Sequence, residues 1–166
     1  MQRAFLLTCA AYAGLVAASA WWLPARVPLH FGGSGEPDRW GSRTEALWTF
    51  GLVGAGVAVL LGGLAALTAR LPLRSSLVNI PHKDWWTATE EREAEARRRL
   101  RNDLYGFGAA TMLFLGTMVV NTGIAARSDE PSLGWSFALA TGLFVVGVLA
   151  WAGWTTFARY RPEEAR

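Results

Sequence analysis

LPARVPLHFGGSGEPDRWGSR, residues 23–43, is a polar and turn-rich segment between two of the most apolar parts of the chain. Pro24 and Pro28 each fix their own φ and push the preceding residue out of the α region, so a helix cannot run through this segment. The glycines at positions 32, 33 and 35 permit positive φ and predict a sharp turn. We therefore expect a loop of defined shape with four ionisable side chains close together: His30, Glu36, Asp38 and Arg39.

Four apolar runs make up most of the remaining chain, and none of them contains Asp, Glu, Lys, Arg or His. They cover residues 4–22, 46–69, 104–126 and 133–158. Each is close to the length of about 20 residues that a helix needs to cross a hydrocarbon core of roughly 30 Å. Only 17% of the residues are charged, whereas soluble proteins have about 25%. We predict an all-α integral membrane bundle of four transmembrane helices, in a single domain over residues 1–166.

The basic residues are distributed unevenly between the segments that join these runs. Twelve of the 16 Lys and Arg residues lie on one predicted side of the membrane: Arg3, the eight from Arg70 to Arg101, Arg159, Arg161 and Arg166. The other four lie on the opposite side: Arg26, Arg39, Arg43 and Arg127. By the positive-inside rule, the termini and the segment 70–103 are cytoplasmic and the loop 23–45 faces outward. We therefore expect a multi-pass protein of a bacterial cytoplasmic (inner) membrane.

The first run has two features of a signal peptide, since Arg3 precedes it and Ala18-Ser19-Ala20 forms an A-x-A pattern. It continues through Trp22 to a length that suits a membrane anchor, so we expect it to remain in the protein as the first span. Four tryptophans are expected to form an aromatic belt at the outer interface: Trp21, Trp22, Trp40 and Trp48.

Small residues recur every four positions in the second run, at Gly54, Ala58, Gly62 and Ala66. This spacing places them on one helix face, where small side chains let two helices approach closely. We expect this face to pack against another helix, either within the bundle or in a dimer. In the third run, Thr117, Asn121 and Thr122 predict interhelical hydrogen bonds more than a substrate site. Ser136 and Thr141 are the polar exceptions in the outer half of the fourth run.

The segment 70–103 is the longest polar part of the chain and predicts a charged cytoplasmic helix that leads into the third span. Thr87 and Glu90 have capping-box spacing, which predicts the start of this helix. The stretch NIPHKDWW, residues 79–86, predicts a turn at the inner interface. Six residues are expected to contact lipid or the membrane interface: Lys83, Trp85, Trp86, Arg97, Arg98 and Arg101.

The chain lacks the sequence features that are typical of several functional classes. The apolar runs have no ionisable group at membrane depth, where ion-coupled transporters normally keep such groups. Cys9 is the only cysteine, so the chain can form neither an internal disulfide nor a cysteine cluster for a metal. The basic excess is a topology signal and does not indicate a nucleic-acid partner. No catalytic triad, phosphate loop or dinucleotide fingerprint occurs, and we expect no catalytic residue and no cofactor.

His30, Glu36 and Asp38 are the one set of residues that could hold a metal or perform acid–base chemistry. The loop has a single histidine, and the spacings between the three residues match no zinc signature. Arg39 beside Asp38 suggests an ordinary ion pair. We therefore expect His30 to form a hydrogen bond to Asp38 or to a backbone carbonyl of the glycine turn, and we expect no bound metal.

The same loop contains an ordered set of residues that resembles a known family: Pro24, Pro28-Leu29-His30-Phe31, Gly35, Pro37-Asp38 and Trp40-Gly41-Ser42. This pattern is similar to the loop of the bacterial membrane domain of unknown function that opens the SdpI-like immunity and signalling proteins. The resemblance covers residues 1–69, and NIPHKDWW is similar to an element of some stand-alone members. It implies an integral membrane protein, with a few relatives tied to immunity against secreted peptide toxins and to signalling. The chain has no evident second, larger SdpI-type half.

We expect a non-enzymatic membrane protein whose outer loop recognises a partner, a peptide or a lipid. The residues expected to do so are Pro28, His30, Gly35, Pro37, Asp38, Arg39 and Trp40. The expected partners are membrane lipids and either another protein or a second copy of the chain. Two alternatives stay open: a structural accessory subunit of a larger membrane complex, and a membrane enzyme or metal-dependent accessory that uses His30, Glu36 and Asp38.

Overall fold

The computed structural model describes residues 1–162. Five helices, a π-helical turn and two strands follow in this order: α1 (Gln2–Trp22), β1 (Arg26–Phe31), β2 (Pro37–Ser42), α2 (Arg43–Leu67), α3 (Lys83–Trp86), α4 (Glu90–Ala125), α5 (Trp135–Trp154) and the π turn (Thr155–Arg159). Arg166, one of the basic residues assigned to the inner side, lies outside the described residues.

Four of these helices are long and apolar enough to cross a membrane: α1, α2, α4, and α5 continued by the π turn. They coincide with the four apolar runs of the sequence, so the prediction of a multi-pass membrane protein is confirmed at the level of length and composition. The charged helix predicted before the third span is the first part of α4, which runs without a break from Glu90 to Ala125.

The start of α4 differs from the prediction. Thr89 is the N-cap residue, and its hydroxyl accepts a hydrogen bond from the N–H of Arg92. Thr87, two residues earlier, ends the short helix α3 as its C-cap, and its hydroxyl donates to the carbonyl of Asp84. The capping box predicted from Thr87 to Glu90 is therefore wrong, because Thr87 still belongs to the end of the preceding helix.

The bundle is built on three helices that contact one another. α1, α2 and α4 enclose a core that includes Phe5, Tyr12, Tyr105, Met112 and Val119. Among the helices of residues 1–162, α5 packs on α4 alone, and none of its residues is buried. The hydroxyl of Ser136 in α5 donates to Oδ1 of Asn121 in α4 at 2.7 Å, so the interhelical hydrogen bond predicted for Asn121 is confirmed. The hydroxyl of Thr117 instead donates to the carbonyl of Phe114 in its own helix.

The prediction of an all-α fold is incomplete, because β1 and β2 form an antiparallel hairpin inside the loop 23–45. The pairing runs from Arg26 with Ser42 to Phe31 with Pro37, with shifts of register on both sides of His30. The prolines exclude a helix, as expected, but the extended backbone that they favour also suits a strand. A turn of glycines then brings the two extended segments together.

The bundle has two different ends. The hairpin end carries β1, β2 and the loop 126–134, which are joined by a hydrogen bond of 2.8 Å from the N–H of Leu133 to the carbonyl of Gly35. The basic end carries the segment 68–89 and the residues 155–162, which pack together around Leu73, Trp86 and Tyr160. The start of α1 lies at the basic end as well, because Met1 and Arg159 line the same groove.

Candidate functional site

The first part of β1 is buried against the bundle. Val27 and Pro28 of β1 are fully buried. Val27 packs with Leu23 and Ala46 at the point where α1 ends and α2 begins. Burial of these apolar groups anchors the base of the hairpin to the bundle.

Two arginines hold the backbone around the hairpin. Arg43 donates to the carbonyls of Ala20 at 3.1 Å and Pro24 at 3.4 Å. Arg127 donates to the carbonyl of Trp22, and its guanidinium lies 5.4 Å from the centroid of that ring. The last carbonyls of a helix lack intrahelical partners and carry partial negative charge, so both cations stabilise the end of α1.

The turn between the strands is closed by backbone hydrogen bonds. The N–H of Gly35 donates to the carbonyl of Gly32 at 2.9 Å, and the N–H of Gly32 donates to the carbonyl of Glu36 at 2.8 Å. Gly35 has a φ of 83°, and it is the one glycine of residues 1–162 with a positive φ. Because its carbonyl accepts from Leu133, this residue also ties the tip of the hairpin to the loop before α5.

β2 leads directly into α2 through a capping box. The hydroxyl of Ser42 accepts from the N–H of Glu45 at 3.1 Å, and the carboxylate of Glu45 accepts from the N–H of Ser42 at 3.4 Å. Glu45 also accepts from Arg39 at 3.2 Å. The strand, the helix start and the side chain of Arg39 are thus held by one carboxylate.

The exposed residues of the hairpin carry polar side chains. Nδ1 of His30 lies 2.6 Å from Oδ1 of Asp38, which is the first of the two hydrogen bonds expected for this histidine, and both side chains are more than half exposed. The guanidinium of Arg26 lies 5.1 Å from the centroid of the Trp40 ring. The ion pair expected between Arg39 and Asp38 is replaced, because Asp38 bonds to His30 and Arg39 bonds to Glu45.

The ionisable side chains of the hairpin are few and exposed. His30 and Asp38 form one imidazole–carboxylate pair, and the side chain of Glu36 is exposed on the same turn. Within residues 1–162, no group of three or more His, Cys, Asp or Glu side chains is placed to hold a metal ion. The hairpin therefore offers hydrogen-bond donors, acceptors and an aromatic ring to whatever docks on it.

The seven residues expected to bind a partner all lie on this hairpin and divide into two groups. Pro28, Gly35 and Pro37 shape the backbone, as a buried strand residue, the turn residue and the first residue of β2. The other four carry the polar and aromatic side chains of the outward surface: His30, Asp38, Arg39 and Trp40. We call the side chains of Arg26, His30, Glu36, Asp38, Arg39 and Trp40 the hairpin surface.

The small residues expected to pack lie in α2. A Cβ added at Gly54 would be 2.0 Å from the ring of Tyr12 in α1, and one at Gly62 would be 3.2 Å from the ring of Phe5. Ala58 is half-buried beside the core, whereas Ala66 is exposed. A four-residue repeat advances around a helix of 3.6 residues per turn, so the last member lies away from the contact.

The residues expected at the inner interface have varied environments. Nζ of Lys83 donates to the carbonyls of Ser75 and Val78, both at 2.6 Å. Trp86 is buried, and its indole N–H donates to the carbonyl of Tyr160 at 2.9 Å. These two side chains hold the segment 70–89 and the C-terminal residues in one compact unit.

The other four members of that set lie on or beside the first turns of α4. Trp85 is half-buried beneath the guanidinium of Arg92, which is 4.0 Å from its ring centroid. Arg97 donates to the carbonyls of Thr68 and Leu71, where the second span ends. Arg98 and Arg101 are exposed, and Arg98 pairs with Glu95 at 2.7 Å. The exposed side chains of Arg98 and Arg101 can reach a membrane surface.

Sequence analysis missed a buried network at the basic end. The carboxylate of Asp103 accepts from Nε of Arg159 at 2.8 Å and from the hydroxyl of Tyr160 at 2.9 Å. Burial, reinforced by the charge of Asp103, raises the pKa of the Tyr160 phenol above its ordinary value, so the phenol stays a donor. The available signal was the position of Asp103 immediately before an apolar run, where a carboxylate needs a partner.

Comparison with known proteins is informative for the first part of the chain. Residues 5–55 match the family model of a domain of unknown function, DUF1648. The DUF1648 domain thus comprises most of α1, the whole hairpin and the first half of α2. No curated protein and no solved structure gives a significant match to the chain. The relation to SdpI-like proteins stays a prediction.

Proposed function

We propose that this multi-pass membrane protein recognises a protein or peptide partner through the hairpin surface of its DUF1648 domain. The supporting observation is that the hairpin is anchored by the buried residues Val27 and Pro28 and exposes the side chains of His30, Asp38 and Arg39. The backbone is held in place before any partner arrives, by the turn, the capping box and the arginine contacts. Such a surface loses less conformational entropy on binding than a flexible loop would.

The proposed location of this surface is the outer face of a bacterial cytoplasmic membrane. Twelve of the 16 basic residues belong to the segments assigned to the other face, and the positive-inside rule makes that face cytoplasmic. The start of α1 and the residues after α5 lie at the same end of the bundle, in keeping with an even number of spans. Both termini are then cytoplasmic.

The charge of the hairpin surface favours a protein or peptide over an anionic lipid headgroup. Arg26 and Arg39 are balanced by Glu36 and Asp38, so the surface has no excess of positive charge. Arg and Trp are the residue types that most often contribute strongly to protein interfaces, and both occur here, at Arg39 and Trp40. The resemblance to SdpI-like proteins supports a role in immunity or signalling, for which the partner is a secreted peptide.

The test is site-specific photo-crosslinking in intact cells. A photoreactive amino acid at Arg39, on the exposed side of β2, is expected to give a crosslinked product of defined mass. The matched control is the same amino acid at Glu130, which is exposed at the same end of the bundle but outside the hairpin. Asp38→Ala is expected to reduce the product about tenfold, since the loss of a strong interface contact costs about 1.4 kcal/mol or more.

The folding of this variant is checked by its thermal midpoint. An exposed pair such as His30 with Asp38 contributes about 1 kcal/mol or less to stability, so Asp38→Ala should unfold close to the wild-type temperature. Equal products from positions 39 and 130, or an Asp38→Ala variant that keeps the full product, would contradict recognition by the hairpin surface.

A second candidate function, a structural subunit of a larger membrane complex, has one observation in its favour. α5 has no buried residue and leaves Leu139, Leu143 and Val146 exposed. A helix that is apolar all round is suited to contact with other helices as well as with lipid. Photo-crosslinking from Val146 to another membrane protein, with none from Arg39, would favour this candidate.

A further inference from the structure

Two cavities adjoin at the basic end, between α4 and α5. A groove of about 540 Å³ has apolar walls that include Phe107, Phe144 and Trp151. A polar cavity of about 340 Å³ is lined by Glu95, Arg98 and Arg99. The two share Asn102, Trp154 and Arg159 as lining residues, so the polar cavity opens onto the end of the groove.

The polar cavity has an excess of positive charge. Arg98, Arg99 and Arg159 line it together with a single carboxylate, that of Glu95. Each guanidinium has five N–H donors, and the bonds to Glu95, to Asp103 and to the carbonyl of Arg159 use only part of them. The remaining donors suit an anion with several oxygens, and guanidinium groups match phosphate especially well.

The position of the cavities along the bundle places charge and apolar surface at different depths. Arg98, Arg99 and Asn102 come just before the apolar part of α4, at the level of lipid headgroups in a spanning helix. Trp154 lies where the cavities meet, as is typical of an indole at a membrane interface. The groove continues from there towards Ala110 and Leu143, at the depth of acyl chains.

We propose that these cavities bind one anionic phospholipid, with its phosphate among Arg98, Arg99 and Arg159 and an acyl chain in the groove between α4 and α5. The site lies at the opposite end of the bundle from the hairpin surface and goes beyond the function proposed for it. A free phosphate would fill only the polar cavity, and a zwitterionic phospholipid would add a cation beside a cavity that already has an excess of positive charge. The lipid also covers part of the contact between α4 and α5, which holds α5 to the other helices of residues 1–162.

The ion pair of Asp103 and Arg159 fixes the position of one guanidinium in the proposed site. Asp103 lines the groove, and its carboxylate is paired with Arg159 and accepts a hydrogen bond from Tyr160, so it does not repel a phosphate at full charge. It holds the guanidinium of Arg159 where the groove and the polar cavity meet. Asp103 is thus a positioning residue for the proposed lipid.

The groove is tested by filling it. Gly147 lines the groove and has open space where a side chain would begin, so Gly147→Leu should occupy the path of the acyl chain. Gly142 in the same helix also has open space around it and does not line the groove, so Gly142→Leu is the matched control. Native mass spectrometry of the full chain, purified in mild detergent and titrated with phosphatidylglycerol, should show one retained lipid in the wild type and in Gly142→Leu, and strongly reduced retention in Gly147→Leu.

The contact with the lipid headgroup is tested by removing the positive charge of one arginine at a time. Arg98→Gln should weaken retention of phosphatidylglycerol about fivefold, because an arginine near an anionic lipid contributes about 1 kcal/mol. Arg101→Gln removes the same charge from the neighbouring turn but from a residue outside both cavities, so it should have a much smaller effect. Wild-type protein labelled in membranes with phosphatidylglycerol that carries a photoreactive acyl chain should be modified within residues 143–151.

Three results would overturn the proposal. One is equal retention of phosphatidylcholine and phosphatidylglycerol by the wild type, which would remove the role of charge. Another is thermal stabilisation by inorganic phosphate as large as that by phosphatidylglycerol, which would make this a site for a soluble anion. The third is photolabelling spread evenly over all four spans, which needs no variant and therefore does not depend on whether Gly147→Leu folds.

Discussion

Gly35 is the single residue on which the shape of the hairpin depends most. Its φ of 83° lies in the region that residues with a Cβ rarely adopt, and both its N–H and its carbonyl are used in the turn and in the contact with Leu133. An added Cβ would meet Leu133 at 3.7 Å, which is ordinary contact, so any cost of a side chain comes from the backbone conformation.

We expect Gly35→Ala to lower the free energy of unfolding by about 1–2 kcal/mol, the cost of placing an L-residue in the left-handed region. Gly33→Ala is the control, because Gly33 lies in the same turn with no positive φ and with nothing within 4 Å of an added Cβ. Thermal unfolding in one detergent compares the two variants. A Gly33→Ala variant as unstable as Gly35→Ala would show that the turn resists any side chain and that φ is not the cause.

The hydrogen bond between His30 and Asp38 affects the orientation of the two side chains more than the stability of the fold. Exposed ion pairs contribute little to folding, because water screens the charges and both side chains lose freedom. The bond does fix which atoms of the imidazole and the carboxylate face outward, since Nδ1 of His30 and Oδ1 of Asp38 are engaged. Nε2 of His30 and Oδ2 of Asp38 are then the atoms available to the proposed partner.

At the scale of elements, close contact between helices depends on the absence of a side chain at a few glycines. The ring of Tyr12 lies over Gly54, and its hydroxyl donates to the carbonyl of Phe50 at 2.8 Å. This hydrogen bond holds the ring in place, so the ring cannot easily move aside for an added methyl group. Gly56, two residues later on the opposite face of α2, is exposed and has nothing within 4 Å of an added Cβ.

Gly54→Ala is therefore expected to destabilise the bundle by about 1–3 kcal/mol, the usual cost of overpacking a core. Gly56→Ala should be neutral or slightly stabilising, because alanine is the better helix former. The measurement is the thermal midpoint of each purified variant in the same detergent. Similar midpoints for the two variants would show that α1 and α2 do not meet at Gly54.

The elements that the sequence predicted well are those with a strong and simple physical signal. Each long helix contains an apolar run without charges, although α4 begins at Glu90, well before its run. The hairpin was missed because the prolines and glycines were interpreted as a loop with a sharp turn and not as two paired strands, although the capping-box spacing of Ser42 and Glu45 marked the point where extended chain becomes helix. The start of α4 was misplaced because Thr87 and Thr89 are both plausible caps, and only the end of α3 decides between them.

At the scale of the whole molecule, the contacts that the sequence could not predict are those between distant residues. The hydroxyl of Tyr160 reaches the carboxylate of Asp103, which is 57 residues earlier, and the indole of Trp86 reaches the carbonyl of Tyr160 across 74 residues. These bonds join the segment 70–89, the start of α4 and the end of α5 into one unit at the basic end. Composition and periodicity contain no information about such pairs.

The sequence could not predict the contacts of the hairpin end either. There, Leu23, Val27 and Ala46 pack together, and backbone carbonyls accept from Arg43, Arg127 and Leu133. Backbone carbonyls are common to every residue, so such hydrogen bonds leave no pattern of side chains in the sequence. The orientation of the bundle in the membrane decides which of the two ends would meet an external partner.

This orientation is the last prediction. Twelve of the 16 basic residues belong to the segments at the basic end, so the positive-inside rule places the hairpin end outside. In a chain with Cys9→Ala, we expect Ser34→Cys to react with a membrane-impermeant maleimide added to intact cells and Ser76→Cys to react only after the cells are permeabilised. Both serines are exposed, one beside the hairpin turn and the other in the segment 70–89, so a difference in labelling reports the side of the membrane and not burial. Labelling of position 76 in place of position 34 would reverse the orientation and would remove the hairpin surface from the reach of any secreted peptide.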